Sequence, residues 1–453
     1  MGRCPPIHPP MPAASLALRA DFLHCLDDPL HGDGAIEHVT DGVLVIEEGH
    51  VVALGPYART PIPSGLPLVE RTGQLVVPGF VDTHVHYPQV DVIASHGSQL
   101  LDWLERYTFP AETRFADADH ARRTAAFFLD TLLANGTTTA LVFATVHPGS
   151  VDAFFTEARA RNLRMISGKV LMDRHAPTAL LDTPASAEAD SRALIARWHG
   201  RERLGYAVTP RFAPTSTPEQ LAVAGRLLDE HPGVHLHTHL AENAEECDWV
   251  AELFPDAGDY LGVYERFGLV RRRSVFAHAI HLPHDAWRRL ARAQGAVAHC
   301  PLSNLFIGSG LYDLRAADAA GVRTGLGTDV GGGDSFSILR TLNEAYKVQQ
   351  LQRHTLSPER MLYLATLGGA RALDLDAHIG NFEPGKEADL VVLDDTATPV
   401  LARRAAVARE RADGDAGGWR ERLFALMMLG DERCVAETRV LGEVHRSEAC
   451  PRQ

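Results

Sequence analysis

Cysteine, basic charge and long apolar runs are scarce in this sequence, and each shortage excludes a class of protein. Six cysteines are spread over 453 residues without a CxxC pair, so neither a cysteine zinc site nor a disulfide framework is predicted. Acidic residues outnumber basic ones, 58 to 44, which argues against nucleic acid or an anionic membrane as the main partner. No apolar run reaches the ~18 residues of a membrane span, and the N-terminus lacks the pattern of a signal peptide. We therefore predict a cytoplasmic protein.

The length and the texture of the chain predict two structural parts. A chain of 453 residues suits a barrel of ~250 residues with a smaller unit beside it. Strand-like segments occur near both ends, as DGVLVIEEGHVVALGPY and as IGNFEPGKEADLVVLDD with CVAETRVLGEVHR. We predict that residues 1–75 and 376–453 form a small β-sandwich domain beside a barrel over 76–375. Residues 402–420 are charged and glycine-rich, and we expect an exposed helix and loop there.

Between these ends, one unit of apolar run, loop and amphipathic helix repeats eight times. The helical stretch Asp119–Ala134, for example, has apolar residues at a period close to 3.6. Eight alternations predict an α/β fold, a closed parallel (β/α)8 TIM barrel, with an open doubly wound sheet as the alternative. The runs are LVVPGFVDTHVH (75–86), TTTALVFATV (137–146), LRMISGKVLMD (163–173), LGYAVTPRF (204–212), VHLHTHLAE (234–242), SVFAHAIHL (274–282), GAVAHCPLSN (295–304) and RTGLGTDVG (323–331).

Imidazoles and one carboxylate recur at or near the carboxyl ends of these predicted strands. His84 and His86 lie two residues apart on the first strand and therefore share a face. One such pair is weak evidence, but barrel closure brings residues of other strands to the same rim. Nitrogen and oxygen donors of this kind suit Zn²⁺ or Fe²⁺, which would acidify a water toward a pKa of ~7. The set is His84, His86, His239, His278 and Asp329.

The motifs that carry these residues resemble the amidohydrolase superfamily, in its single-metal branch. They are PGFVDTHVH, HTHLAEN, FAHAIHL, HCPLSNLFIGSG and GLGTDVGGG, and the resemblance runs from Val77 to Asp394. It implies one metal per chain, zinc or alternatively iron, with His84, His86, His239 and Asp329 as ligands, and it implies a homodimer. A lysine that could bridge two metals is missing at the end of the fourth run.

The resemblance also implies roles for the residues around the metal. Glu242 would protonate a ring nitrogen and then the leaving amine, a role that requires hydrogen-bond reach. His278 would orient the attacking water, and Asp329 would accept its proton.

Three further segments resemble members of this branch that deaminate guanine: HVHYPQ, GKVLMDRHAP and TPRFAPTST. They imply that Gln89, Arg211 and Phe212 hold a purine, through polar contacts to its edge and stacking on its face. The expected reaction is hydrolysis of guanine to xanthine and ammonia, a step of purine catabolism. Two alternatives stay open: a related hydrolase for a triazine, cytosine or an adenosine-like compound, and a non-catalytic scaffold. His175 departs from the pattern, in which asparagine commonly stands at that position.

Overall fold

The computed structural model describes residues 13–97, 99–411 and 418–445. Its strands, β1 to β16 in chain order, are Leu16–Cys25, Ile36–Glu47, His50–Pro56, Leu68–Pro78, Phe80–His86, Thr137–Phe143, Arg164–Gly168, Val170–Leu171, Gly205–Pro210, His235–Leu240, Ser274–His278, Ala296–His299, Arg323–Leu326, Leu390–Leu393, Val435–Val440 and Glu443–His445. Its helices, α1 to α16, are Leu100–Trp103, Phe109–Thr113, Ala118–Ala134, Pro148–Ala160, Pro184–Trp198, Pro218–Glu230, Ala244–Leu253, Tyr260–Arg266, His284–Arg292, Pro301–Phe306, Leu314–Ala320, Ile338–Leu351, Pro358–Ala365, Leu367–Ala372, Pro399–Glu410 and Trp419–Leu429. None of these helices, within the described ranges, combines the length and the apolarity needed to cross a membrane.

The described residues divide into two compact units. One contains Thr83–Leu129 and Ala140–Ser335. The other contains Asp130–Thr139 together with the described residues that precede Thr83 and follow Ser335. Every residue predicted for the site belongs to the first unit, while the domain boundaries at 75 and 375 stay predictions.

The sheet of the first unit is a nearly closed parallel barrel, as predicted. Its strand order is β13-β12-β11-β10-β9-β7-β6-β5, and β8 pairs with β9. The two end strands approach each other through hydrogen bonds: Thr83 Oγ1 donates to the Leu326 carbonyl at 2.9 Å, and Asp329 N–H donates to the His84 carbonyl at 2.9 Å. All seven residues of β6 are buried, as expected for a strand covered on both faces.

All eight predicted runs contain a barrel strand, but two of them are interrupted. The first run covers the end of β4 and all of β5, separated by Gly79. The third run divides into β7 and β8 at Lys169. A Cβ at Gly168 would collide with the Ala207 carbonyl of β9, so glycine permits the close approach of these two strands.

The second unit contains a seven-stranded mixed sheet built from both ends of the chain, which confirms the predicted small β domain. Its order is β16-β15-β14-β4-β1-β2-β3. Only the β1–β4 pair is parallel among its described pairs. Leu18, Phe22, Leu44 and Leu390 are among the buried residues of its core.

Several helices begin with a hydroxyl residue followed by proline. In α5, α6 and α15 a threonine side chain accepts a backbone N–H of the first turn, and proline follows it. In α13 a serine has the same role, because Ser357 Oγ accepts the Arg360 N–H at 3.1 Å. The helical segment after Ser357 divides at Thr366 into α13 and α14. In the charged segment, α15 buries Leu401, Ala405 and Ala408, so the helix expected there has a buried face, and 412–417 lie outside the described residues.

Candidate active site

The predicted metal ligands come together at the carboxyl ends of the barrel strands. His84 and His86 lie on β5, and His239 lies on β10. His278 is the last residue of β11, and Asp329 follows β13 by three residues. His84, His86, His278 and Asp329 are buried, and His239 is partly buried.

Left-handed backbone ends two of these strands and shapes the loop after a third. Ala241, His278 and Asp329 have φ angles of 48°, 71° and 51°, a region that non-glycine residues rarely adopt. A positive φ at His278 and at Ala279 (53°) stops β11, which is why the strand is shorter than its apolar run. Backbone strain of this kind, about 1–3 kcal/mol at each position, is typical of functional sites.

The imidazole rings face one another at close range. His84 Nε2 and His86 Nε2 are 3.2 Å apart, and the ring centres of His84 and His239 are 4.8 Å apart. Burial lowers the pKa of His86 to about 4 and that of His278 to about 3, and it lowers the pKa of His239 as well. These three rings are therefore neutral near pH 7, and each offers a nitrogen lone pair.

Asp329 provides the negative charge of this cluster. Its Oδ1 lies 3.1 Å from His84 Nε2 and 3.3 Å from His86 Nε2, and its Oδ2 lies 3.7 Å from His278 Nε2. Burial acts to raise the pKa of Asp329, but the charge of His84 and the hydrogen bonds from His84 and His86 outweigh it and hold the pKa well below its usual range. The carboxylate is ionised at neutral pH.

This donor set fits a divalent metal ion. Two groups of ligand atoms converge, and within each group all atoms lie within 4.8 Å of one another. The first group is His84, His86 and His239, and the second is His84, His278, Cys300 and Asp329. His278 Nε2 is buried without a hydrogen-bond partner among the described residues. Neutral imidazoles and one ionised carboxylate are the ligands that Zn²⁺ and Fe²⁺ bind.

Glu242 lies beside the cluster, in the loop that follows β10. Its Oε2 is 3.3 Å from His278 Nε2, and Ser309 Oγ donates to its Oε1 at 3.4 Å. Burial, followed by the charges of Asp329 and Glu246, raises the pKa of Glu242 well above its usual value. A carboxyl group in such surroundings can carry a proton at neutral pH, as a general acid must.

The three residues predicted to hold a purine lie on the same cavity as the metal cluster. Gln89, Arg211 and Phe212 line this cavity together with His86, His239, Glu242 and Asp329. Phe212 packs with Leu100 and Trp103 in an apolar cluster. One side of the cavity is therefore apolar, and the other side carries polar and charged groups, as in typical small-molecule sites.

Four residues that support the site were missed by the sequence analysis. Glu112 contacts both Gln89 and Arg211, and Glu246 accepts the backbone N–H of Glu242. His237 Nε2 lies 2.7 Å from His84 Nδ1, and Asn304 Nδ2 lies 2.8 Å from His278 Nδ1. The alternation His235, His237, His239 was a signal for one of them. His175 Nδ1 lies 2.8 Å from the Pro214 carbonyl.

The fold and this cluster of metal-binding residues define a class of hydrolase. The model of the amidohydrolase family matches residues 75–444, and the chain belongs to that family. The family is metal-dependent, and the cluster described above is the His/Asp metal-binding site of this chain.

The chain is similar to several guanine deaminases. The chain is 49% identical to "Guanine deaminase" of Escherichia coli strain K12 over 94% of this chain and 97% of the relative. It is 46% identical to "Probable guanine deaminase" of Deinococcus radiodurans over 85% of this chain and 90% of the relative. A solved structure described as E. coli guanine deaminase superposes with a TM-score of 0.91 at 48% identity, covering 96% of this chain and all of the other.

Proposed function

We propose that this chain hydrolyses guanine to xanthine and ammonia. The observation that carries the proposal is the placement of the metal-binding cluster, Glu242 and three purine-binding candidates on one cavity. Guanine deaminases that match the chain over nearly its whole length support the same reaction. In that reaction water adds to C2 of the purine, and the C2–N bond to the exocyclic amine then breaks.

The metal would be held by His84, His86, His239 and Asp329, which converge from two strands and one loop. When bound, a divalent ion supplies a Lewis acid that lowers the pKa of water to ~7. We propose zinc, one ion per chain, because three imidazoles and a carboxylate suit it; the same donor set suits Fe²⁺.

Proton transfer is assigned to the chain's own carboxylates. Glu242, whose pKa is raised by burial, would protonate a ring nitrogen of the purine and then the leaving amine. Asp329, ionised and 3.7 Å from His278 Nε2, would take a proton from the attacking water. His278 would orient that water, since Asn304 holds the opposite side of its ring at 2.8 Å.

Gln89, Arg211 and Phe212 would bind the purine. Arg211 donates only, which suits the C6 carbonyl of guanine and not the C6 amine of adenine. Phe212 belongs to the apolar side of the cavity and would contact the ring face of any purine.

The test of the function is direct. Purified protein is mixed with guanine, and ammonia release and the ultraviolet change to xanthine are recorded beside adenine, cytosine and a triazine. We expect turnover of guanine and little or none of adenine. Absence of ammonia from guanine, or faster turnover of cytosine or the triazine, contradicts the proposal. The predicted homodimer and cytoplasmic location are separate proposals, and light scattering after gel filtration tests the former.

A further inference from the structure

Glu112 is a fully buried carboxylate that contacts both polar residues of the purine-binding side. It lies on α2, and its side chain is 0% exposed. Its two oxygens accept from Arg211 Nη1 at 2.9 and 2.8 Å, and Oε1 also accepts from Gln89 Nε2 at 3.1 Å. Nothing in the reaction above uses this residue.

A carboxylate accepts hydrogen bonds only, so it determines which way the Gln89 amide points. The amide nitrogen faces Glu112, and the amide oxygen accepts the backbone N–H of Gly331 at 3.3 Å. A carboxylate and a backbone N–H thus select the same orientation from opposite sides. The Gln89 oxygen keeps a second lone pair, and Gln89 lines the cavity.

A third neighbour favours the opposite orientation. Gln89 Nε2 also lies 3.1 Å from His86 Nδ1. A neutral His86 ring that gives Nε2 to a metal carries its proton on Nδ1, where it would meet the amide nitrogen as donor against donor. Without an acceptor-only group at position 112, this proton would favour a flipped amide with its oxygen toward His86.

Glu112 also fixes the guanidinium. Both of its contacts to Arg211 use Nη1, which leaves Nε and Nη2 to donate elsewhere. Arg211 Cζ lies 5.4 Å from the ring centre of Phe109, which is on the same short helix as Glu112. The Arg211 plane is therefore held by two residues of α2, and both lie in the first unit of the fold.

We infer that Glu112 is a positioning residue that determines which hydrogen-bonding groups face the purine. It presents Arg211 as the donor and the Gln89 oxygen as the acceptor, in that order along the cavity wall. This inference rests on the proposed function and deepens it. The order matches a carbonyl beside an N–H, which guanine presents at C6 and N1. It opposes 2,6-diaminopurine, which keeps the reacting amine at C2 but has an amine at C6 and an unprotonated N1.

The experiment measures kcat/KM for guanine and for 2,6-diaminopurine, and the quantity of interest is their ratio. Glu112→Gln removes the acceptor-only group with little change in size. We expect the ratio to fall by ~10²-fold, because rejection by unpaired buried polar groups, which reaches ~10⁴–10⁵-fold, is relaxed. Metal content should stay at the wild-type value. A merely structural role would lower kcat/KM for both purines by one common factor and leave the ratio unchanged, which would overturn the inference.

Two further variants keep the test decisive. Glu105→Gln changes an exposed carboxylate in the preceding turn and should leave the ratio unchanged. Glu112→Asp retains an acceptor-only carboxylate, so the ratio of kcat/KM values should stay near wild type even if both values fall. A ratio that falls in Glu112→Asp contradicts the inference. This second variant keeps the inference testable if Glu112→Gln fails to fold. Absence of guanine turnover by the wild-type protein would instead contradict the proposed function.

Discussion

Glu246 Oε2 accepts the backbone N–H of Glu242 at 2.9 Å, so one buried carboxylate holds the peptide that carries another. The same oxygen accepts the N–H of Asn243 at 3.1 Å, and Oε1 accepts the Tyr260 hydroxyl at 2.6 Å. Glu246 is thereby both part of the cap of α7 and a support for the loop that places the proposed proton donor.

Replacing Glu246 should affect turnover through this loop. Glu246→Leu removes the acceptor of the buried Glu242 N–H and of the partly buried Asn243 N–H, and a buried group left unpaired costs about 1–3 kcal/mol. We expect a lower free energy of unfolding in urea and a fall in kcat. Glu246→Gln, the matched control, retains an oxygen for the two N–H groups and should stay close to wild type in both measurements. Equal losses in the two variants would show that the charge, rather than the acceptor, matters.

Glu242→Gln should keep the metal and lose turnover. The amide is similar in size but cannot deliver a proton, and general acid–base groups contribute ~10²–10⁴-fold in rate. Metal analysis and steady-state kinetics of the same preparation check both parts. Near-normal kcat in this variant would exclude Glu242 as the proton donor.

His84→Ala should lose metal and activity together, because His84 belongs to both groups of converging ligand atoms. Chelation followed by desalting should have the same effect, and added Zn²⁺ should restore activity in wild type but not in the variant. His31→Ala, at a side chain that is 66% exposed, is the control and should retain one metal per chain. Two equivalents of metal, or full activity after chelation, would contradict the single-metal site.

Arg211→Lys should separate charge from hydrogen-bond geometry. Lysine keeps a cation for the buried Glu112 but lacks the planar fork of donors. We expect kcat/KM for guanine to fall by about 10²-fold, in line with a loss of about 1–3 kcal/mol from charge-assisted hydrogen bonds, with unchanged metal content. Wild-type kinetics in this variant would remove Arg211 from the purine-binding set.

A buried ion pair that does not line the cavity should contribute to the free energy of unfolding and not to catalysis. Lys169, at the break between β7 and β8, pairs with Asp182, whose other oxygen accepts from Gln220 at 2.5 Å. Lys169→Met leaves Asp182 without its cation and should cost about 3–5 kcal/mol. The double variant Lys169→Met/Asp182→Leu should recover much of that loss, as measured by urea unfolding. An unchanged midpoint in the single variant would contradict a stabilising pair.

The sequence was informative where a residue's role depends on strand periodicity and less so where it depends on packing between distant segments. The spacing of His84 and His86 indicates a shared face, and the eight runs predict the barrel that gathers His239 and Asp329. The end of β11 at His278 was not predictable from its apolar run, because a left-handed φ rather than composition ends the strand.

Glu112 was beyond the reach of pattern reasoning for a different reason. A single glutamate in a short helix has no periodicity, and its partner Arg211 lies 99 residues further along the chain. Glu246 had a weak local signal as the third residue of a helix preceded by asparagine, yet that pattern predicts a cap and not a support for a catalytic loop.

The contacts that close the barrel have a consequence for the order of events during synthesis. The bond from Thr83 to Leu326 joins residues 243 apart, and His84 and Asp329 meet at the same junction. A nascent chain that ends between residues 239 and 329 has the imidazoles of His84, His86 and His239 but not the carboxylate of Asp329. Metal capture should therefore come after ring closure, and an ion that binds only the completed ring stabilises it by mass action. Metal loading would then report that folding of the barrel is complete.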